Sequence, residues 1–438
     1  MKYLKYIAVL FMTSFIACDD YLDIDPIGQI IPITVTDYRS FLTTAYATTK
    51  EHKVLSTYRG DELSLKDDAL GIEQYEDVFI WNDVNPSPFV RSFAYAGFYN
   101  TVFYTNHVID NKDIMTGEQE EIDQLVGEAY ALRALQYFEL VNLYAVPYNK
   151  ATATTDIGVP ITTHYDSDKT YPKQTVQVVY DLILSDIEAS ENLLTTVVQP
   201  LGFNYRFSVV AIQSFKSRVF LYQKEWQKSL DASAAALEIN ANLMDLNTSA
   251  DMMPSEYNSV ESILALETVV SFDMSNNASI SDVLINSYNA TTDLRFDLYF
   301  VNVKGDYKTK KSAHDKFKCT FRVAELYLNK AEALAELNEQ ALAETTLLAL
   351  AEYRYTTQGL EDYTATINGL SLEDLKIEIL EERKRELAIE GHRWNDLRRT
   401  SQAQISKSFG GEIFILEQQD ARYVIPFPKD AQISNPNL

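Results

Sequence analysis

The chain has 438 residues, 46% of them hydrophobic, and a formal net charge of −25 from 38 basic and 63 acidic side chains. That length and apolar content are enough for a large core, built as two or three domains or as one helical array. The acidic balance argues against nucleic acid and anionic lipid headgroups as partners, since such a surface repels both.

The chain opens on a basic stretch, Met1 to Lys5, followed by a short apolar run from Tyr6 to Ala17 and then Cys18. The run is too short to span a bilayer and has the layout of a targeting leader, residues 1–17. A small residue followed by cysteine is similar to a lipoprotein processing site, and Cys18 is the expected lipid anchor. A plain signal peptide leaving Cys18 as a free thiol is the alternative, disfavoured because exposed thiols are a liability in an oxidising compartment. With only one other cysteine, Cys319, a disulfide framework is excluded.

An extended, proline-punctuated segment runs to about Thr34. The strongest helical pattern is Glu118 to Tyr144, where Ile122, Leu125, Ala129, Leu132, Gln136 and Leu143 form one stripe and Val126, Tyr130, Tyr137 and Val141 another. A helix with two apolar faces is expected between two neighbours. Val176 to Leu194 is amphipathic. Val209 to Ile239 reads as two helices broken near Lys224, and Phe321 to Arg354 as two with a turn near Leu337-Asn338. These alanine-rich pairs resemble degenerate tetratricopeptide repeats, which bury a face only by stacking. Ser371 and Asp374 make a capping-box pattern with Leu370 and Leu375 as a hydrophobic staple, and Gly391 is the expected stop. The expected architecture is mostly α: a helical scaffold over about 97–240 and 321–400 within one unit, 18–438. Loop-rich stretches over about 49–90 and 241–319 are the expected working surface.

Chemistry-bearing motifs are sparse. None of the five histidines falls in an HExxH or HxH setting, and no CxxC occurs, so a transition-metal site has little support from spacing. Walker A, GxGxxG and GxSxG patterns are absent, and no cofactor is expected. Abundant carboxylates leave a glycoside hydrolase open, because such an enzyme needs only two of them across a cleft. Most acids, however, lie on charged helix faces. In Glu381 to Arg399, Leu387, Ala388 and Trp394 are expected to pack inward while Arg385, Glu386, Arg393 and Asp396 pair around a helix turn.

That last segment resembles the C-terminal signature of the RagB/SusD family of nutrient-binding outer-membrane lipoproteins. Further collinear stretches carry the resemblance: CDDYLDIDP at the start; Tyr99 and Asn106 in the helix Gly97 to Asp110; Ala129, Leu132, Arg133 and Ala134 in the long helix; AELYLNKAEALAE; and RYVIPFPKDAQISNPNL at the end. Ala145-Val146-Pro147 stands where members usually have Gly-Asp before the proline. The resemblance implies a lipid-anchored, non-enzymatic protein on the outer face of the outer membrane. It would capture oligosaccharide for a SusC-like TonB-dependent transporter, with helices on one side and ligand loops on the other. The same architecture handling peptides is the near alternative.

Sugars offer C–H faces to aromatic rings and hydroxyls to planar polar groups. On that basis Tyr75 and Trp81 are expected to form a platform beside Asn82 and Asp83, with Tyr288 and Asn289 as a second contribution. The competing expectation has Phe79 and Trp81 as alternating strand residues packed on the helices. Asp293 and Arg295 read as a structural ion pair, and Trp226 as repeat packing.

Overall fold

The computed structural model describes residues 32–48, 50–164, 169–248 and 251–438. Cys18 and the leader before it lie outside the described residues. Thr34 opens the first described helix, Val35–Ala47, through a reciprocal capping box: its hydroxyl accepts from Asp37 N, and the Asp37 carboxylate accepts from Thr34 N.

The long helix runs Gln119–Tyr144 with Glu118 as its N-cap, and nearly every residue from Gln124 onward is buried. Its two apolar faces meet Ala96–Asp110 on one side and Val176–Leu193 on the other. Close approach to the second neighbour rests on Gly127, where an added Cβ would lie 3.2 Å from Leu193 Cβ and from Leu194. Arg133 fastens all three helices: its guanidinium donates two bonds to Asp186 at 2.8 and 2.7 Å and one to Asn106 at 2.8 Å.

Two helix pairs follow with the same internal layout. Val209–Tyr222 and Trp226–Ile239 turn through Lys224 at φ 59°, and Val323–Glu336 and Gln340–Ala351 turn through Asn338 at φ 64°. In both, a left-handed residue two places past the helix end reverses the chain, so the two units are structurally equivalent repeats. Val323–Glu336 also packs on Trp226–Ile239 and on Leu372–Glu386, continuing the stack. Ser371 caps that last helix by accepting from Asp374 N, and Leu375 is fully buried. The helix ends at Glu386, earlier than the Gly391 stop read from sequence. Residues 387–391 form turns instead, with Ile389 and Gly391 both at positive φ.

Among the described residues the strands are short and pair only in twos, all antiparallel. One of these ladders pairs Leu63–Ser64 with Ser279–Ile280 and so joins the two irregular stretches. The stretch 49–90 is less irregular than its composition indicates, since it contains the wholly buried helix His52–Arg59. Among the described residues no helix is long and apolar enough to cross a membrane.

In Glu381 to Arg399, Leu387, Ala388 and Trp394 are buried as expected. The expected local pairing holds in part: Arg385 pairs with Glu382 one turn away and Asp396 pairs within the segment, whereas Glu386 and Arg393 reach other elements. Glu386 binds Arg295, Arg322 and Arg354, and Arg393 binds Asp61, while Asp396 binds Arg383 and Arg399. Asp293 and Arg295 form the buried ion pair read from sequence.

Candidate functional site

Where the irregular stretches meet, a polar network surrounds Arg91. Its Nη1 donates to Glu51 Oε2 at 2.5 Å, its Nε donates to Gln74 Oε1 at 3.0 Å, and its backbone N–H donates to Gln74 O at 2.9 Å. Its Nη2 lies 3.9 Å from Asp273 Oδ2. The Tyr75 hydroxyl donates to that same carboxylate oxygen at 2.9 Å, and the Tyr75 ring lies beneath the guanidinium and stacks on Tyr58. Burial pushes the Tyr75 hydroxyl up to about 12, so it stays protonated and remains a donor to Asp273.

Two phenylalanines stand out from this network. Phe89 and Phe272 are each 72% exposed. Phe272 opens the short helix Phe272–Asn277, which Ser271 caps by accepting from Met274 N, and this first helical position faces outward. Phe89 sits on a turn organised by Asp77. That carboxylate accepts from Ser87 N at 2.5 Å and from the Asn82 amide at 2.7 Å, and Ser87 Oγ in turn accepts from Phe89 N. Phe89 lies two residues before Arg91, and Phe272 one before Asp273, so the Arg91–Asp273 contact brings the two segments that carry these exposed rings together. Leu70, 85% exposed, joins them because its carbonyl accepts from the Asn277 amide.

Beside the patch, a cleft of about 340 Å³ separates residues 77–93 from the C-terminal segment 425–432. Arg91, Asn82, Asp83 and Pro86 form one wall, and Pro426, Phe427 and Gln432 the other. The patch and the cleft share Arg91. Together they place exposed rings beside guanidinium, carboxylate and amide groups, a surface suited to a ligand with apolar faces and many hydroxyls.

Of the residues expected from sequence to hold ligand, Asn82 and Asp83 line the cleft and Tyr75 lies within the Arg91 network; the other three fall elsewhere. Trp81 is no stacking platform: it is 1% exposed, its indole N–H donates to Arg59 O at 3.0 Å, and the Lys407 ammonium sits 4.3 Å from its ring. Nor is it a strand residue. It follows the helical turn Glu76–Phe79 at φ 60°, and Phe79 is buried beside it. The Tyr75 ring is likewise buried, supporting Arg91 from below instead of facing solvent. Asn82 and Asp83 do line the cleft, but Asp83 is committed to a two-point ion pair with Arg59 at 2.8 and 2.6 Å. Tyr288 is buried against Phe296 and Phe300 and donates to Arg385 O at 2.6 Å. Asn289 is exposed and closes a local turn with Thr291. Neither belongs to the Arg91 patch. No pattern in the sequence singled out Phe89 and Phe272: Phe93 lies four residues after the first, and Val270 and Met274 lie two residues to either side of the second, so both rings read as core positions.

Comparison with known proteins agrees with this architecture. A family model described as "Starch-binding associating with outer membrane" matches residues 20–221, and the model of the SusD family matches residues 222–437. SusD-like protein P38 of Formosa agariphila is 25% identical, covering 92% of this chain and 93% of that protein. A SusD superfamily protein from Bacteroides thetaiotaomicron superposes with a TM-score of 0.77 at 20% identity, over 92% of this chain and 99% of the other. A SusD-like carbohydrate binding protein from Bacteroides vulgatus superposes with a TM-score of 0.69 at 18% identity, over 92% and 97%. At these identities the structural likeness establishes the fold, a mostly helical, tetratricopeptide-like scaffold.

Proposed function

The chain belongs to the SusD/RagB family, and from that premise we propose that it is a lipid-anchored, non-catalytic protein of the outer cell surface. In this reading it captures glycan and passes it to a SusC-like TonB-dependent outer-membrane transporter. Cys18 carries the lipid; each buried CH₂ of an acyl chain contributes about 0.8 kcal/mol, so two or three chains hold a folded body on a bilayer. The family's association with the outer membrane supports this placement.

The observation behind the glycan reading is the pair of exposed rings, Phe89 and Phe272, flanking the Arg91–Asp273–Glu51–Gln74 network. Apolar side chains held in water by an ordered polar frame give faces for C–H stacking, and the frame supplies donors and acceptors for hydroxyls. Binding of this kind is weak enough to hand ligand on.

Affinity electrophoresis of the purified protein through gels containing soluble polysaccharides tests this. One or more polysaccharides are expected to retard it, and Phe89→Ala or Phe272→Ala is expected to weaken retention about tenfold, about 1.4 kcal/mol. Because both rings are in solvent, neither change should alter the melting temperature. Undiminished retention in the double variant removes the patch from the reading. Product release from any polysaccharide would support a carboxylate hydrolase, and thermal protection by peptides alone would support the peptide-binding alternative.

A further inference from the structure

Three buried residues from distant segments converge, one of them next to Glu51 in the chain. His52 lies on the helix His52–Arg59, Glu139 on Gln119–Tyr144, and Glu267 in the loop after the strand Ser262–Leu264; all are at least nine-tenths buried. One donor atom from each lies within 4.8 Å of the other two. His52 Nε2 is 3.3 Å from Glu139 Oε2 and 3.0 Å from Glu267 Oε1.

The distances are those of hydrogen bonds, but the directions are not. Both ring nitrogens of His52 lack a hydrogen-bond partner, so the carboxylate oxygens lie off the N–H axes. Donor atoms that crowd a common point without aiming at one another are arranged as ligands around an ion. Tetrahedral metal–ligand bonds of about 2.0–2.2 Å put neighbouring ligand atoms roughly 3.3–3.5 Å apart, close to what is seen here.

A second observation lies alongside. A small, partly open pocket of about 30 Å³ is lined by His52, Glu267, Gln136 and Lys50 among others. Gln136 spends its amide N–H on Leu132 O and leaves its buried Oε1 without a partner. The pocket has room for about one water, which that oxygen could hold in place. It shares Tyr46, Leu266 and Lys318 with an open cleft of about 440 Å³, which gives a path from solvent.

We propose that His52, Glu139 and Glu267 form a binding site for one divalent transition-metal ion of the zinc class, completed by a water in the adjoining pocket. One imidazole with two carboxylates and no thiolate suits Zn²⁺; Mg²⁺ and Ca²⁺ prefer all-oxygen sets, and copper(I) prefers sulfur. Lys53 Nζ lies 2.9 Å from the outer oxygen of Glu267 and balances its charge without a directed hydrogen bond. The ion pins the His52–Arg59 helix to the long helix and to the 267 loop. Glu51, the N-cap residue directly before His52, holds Arg91. The clamp therefore steadies the frame of the patch, but its existence does not depend on what the patch binds.

The test uses the full protein, stripped with chelator, dialysed against Zn²⁺ and then against metal-free buffer, with bound metal measured by mass spectrometry. One zinc per chain is expected, with a higher melting temperature than the stripped form, and both effects should be lost in His52→Gln and Glu139→Gln. Absence of retained zinc, or equal retention in the variants, would overturn the proposal. Should the variants fail to fold, Co²⁺ added to the unaltered stripped protein decides the matter. Intense visible bands of a four- or five-coordinate ion support the site, and the faint spectrum of an octahedral aqueous ion rejects it.

Discussion

At the residue scale this protein buries charge freely, which is why polarity misled about exposure. Trp81, Tyr75 and Tyr288 sit among acids, amides and basic residues in sequence, a pattern that ordinarily marks a surface. Their polar surroundings are instead partners inside the fold: Arg59 and Lys407 around Trp81, Asp273 for Tyr75, and the Arg385 carbonyl for Tyr288. Glu62 shows the cost of the habit. It is 1% exposed; its Oε1 accepts from Ile389 N at 2.7 Å, and its other oxygen has no partner. Burial pushes its carboxyl up to about 8, with the Ile389 bond opposing only in part. A raised acid binds more protons folded than unfolded between its ordinary value near 4.5 and about 8, so this group's contribution to stability falls as pH rises through that window. Glu62→Gln keeps the acceptor for Ile389 and removes the ionisation. It is expected to be nearly neutral at pH 5 and stabilising by up to about 4 kcal/mol at pH 8.5. Thermal melts of both proteins at the two pH values check this; equal shifts at both would contradict it.

At the element scale the starts and internal breaks of the long helices were legible to within a residue or two, while the last long pattern overran its helix, which ends at Glu386 and not at the Gly391 stop. Glu118 was read as the start of the long helix and is its N-cap, and the breaks at Lys224 and Asn338 coincide with left-handed turns. The helix His52–Arg59 was not read, although Val54, Leu55 and Tyr58 share one face: eight residues within a loop-rich stretch, with the polar positions buried as well, give too short a local pattern to stand out. The metal-ligand set escaped for a related reason: His52, Glu139 and Glu267 share no local spacing that a motif search could use. Another long-range device ends the long helix. Arg398, buried, donates to the backbone carbonyls of Asn142 and Ala145 and, at 2.7 Å, to Tyr423 O. A guanidinium thus satisfies carbonyls the helix terminus leaves open and places positive charge at the negative end of the dipole. Lysine keeps the charge but not the planar fork. Arg398→Lys therefore leaves at least one carbonyl unpaired and is expected to cost about 2–3 kcal/mol. Hydrogen exchange followed by mass spectrometry should show the loss as faster exchange over 138–147; unchanged protection there would count against the cap.

At the scale of the whole molecule, the irregular stretch is joined to the helical stack by buried ions. Glu386 accepts from Arg322 at 2.6 Å, from Arg354 at 2.9 Å and from Arg295 at 2.9 Å. Glu261, from the irregular stretch, accepts from Arg354 at 2.5 Å and from Arg322 at 3.2 Å, and Glu390 pairs with Arg322 and Lys311. Burial alone would raise the pKa of Glu386, but the guanidiniums of Arg354, Arg322 and Arg295 outweigh it and hold the carboxyl well below its usual range. Its contribution is present above the ordinary carboxylate value and is lost only as pH falls through that lowered one. Such a network is no proof of net stability over an apolar core, yet removing one member strands the others without charge balance, at about 3–5 kcal/mol. Salt separates this from surface pairing. Ions in solution screen exposed charges within about 10 Å at 0.1 M but hardly reach buried ones. Glu386→Gln is accordingly expected to lower the melting temperature by about 5 °C or more, by the same amount at low and at high sodium chloride. Asp306→Asn, which breaks the exposed Lys66–Asp306 pair, should cost at most about 1 kcal/mol and less in salt. If the Glu386→Gln deficit shrank with added salt as a surface pair's does, the buried network would not be what unites the two faces, and the ladder between Leu63–Ser64 and Ser279–Ile280 together with side-chain packing would have to do so.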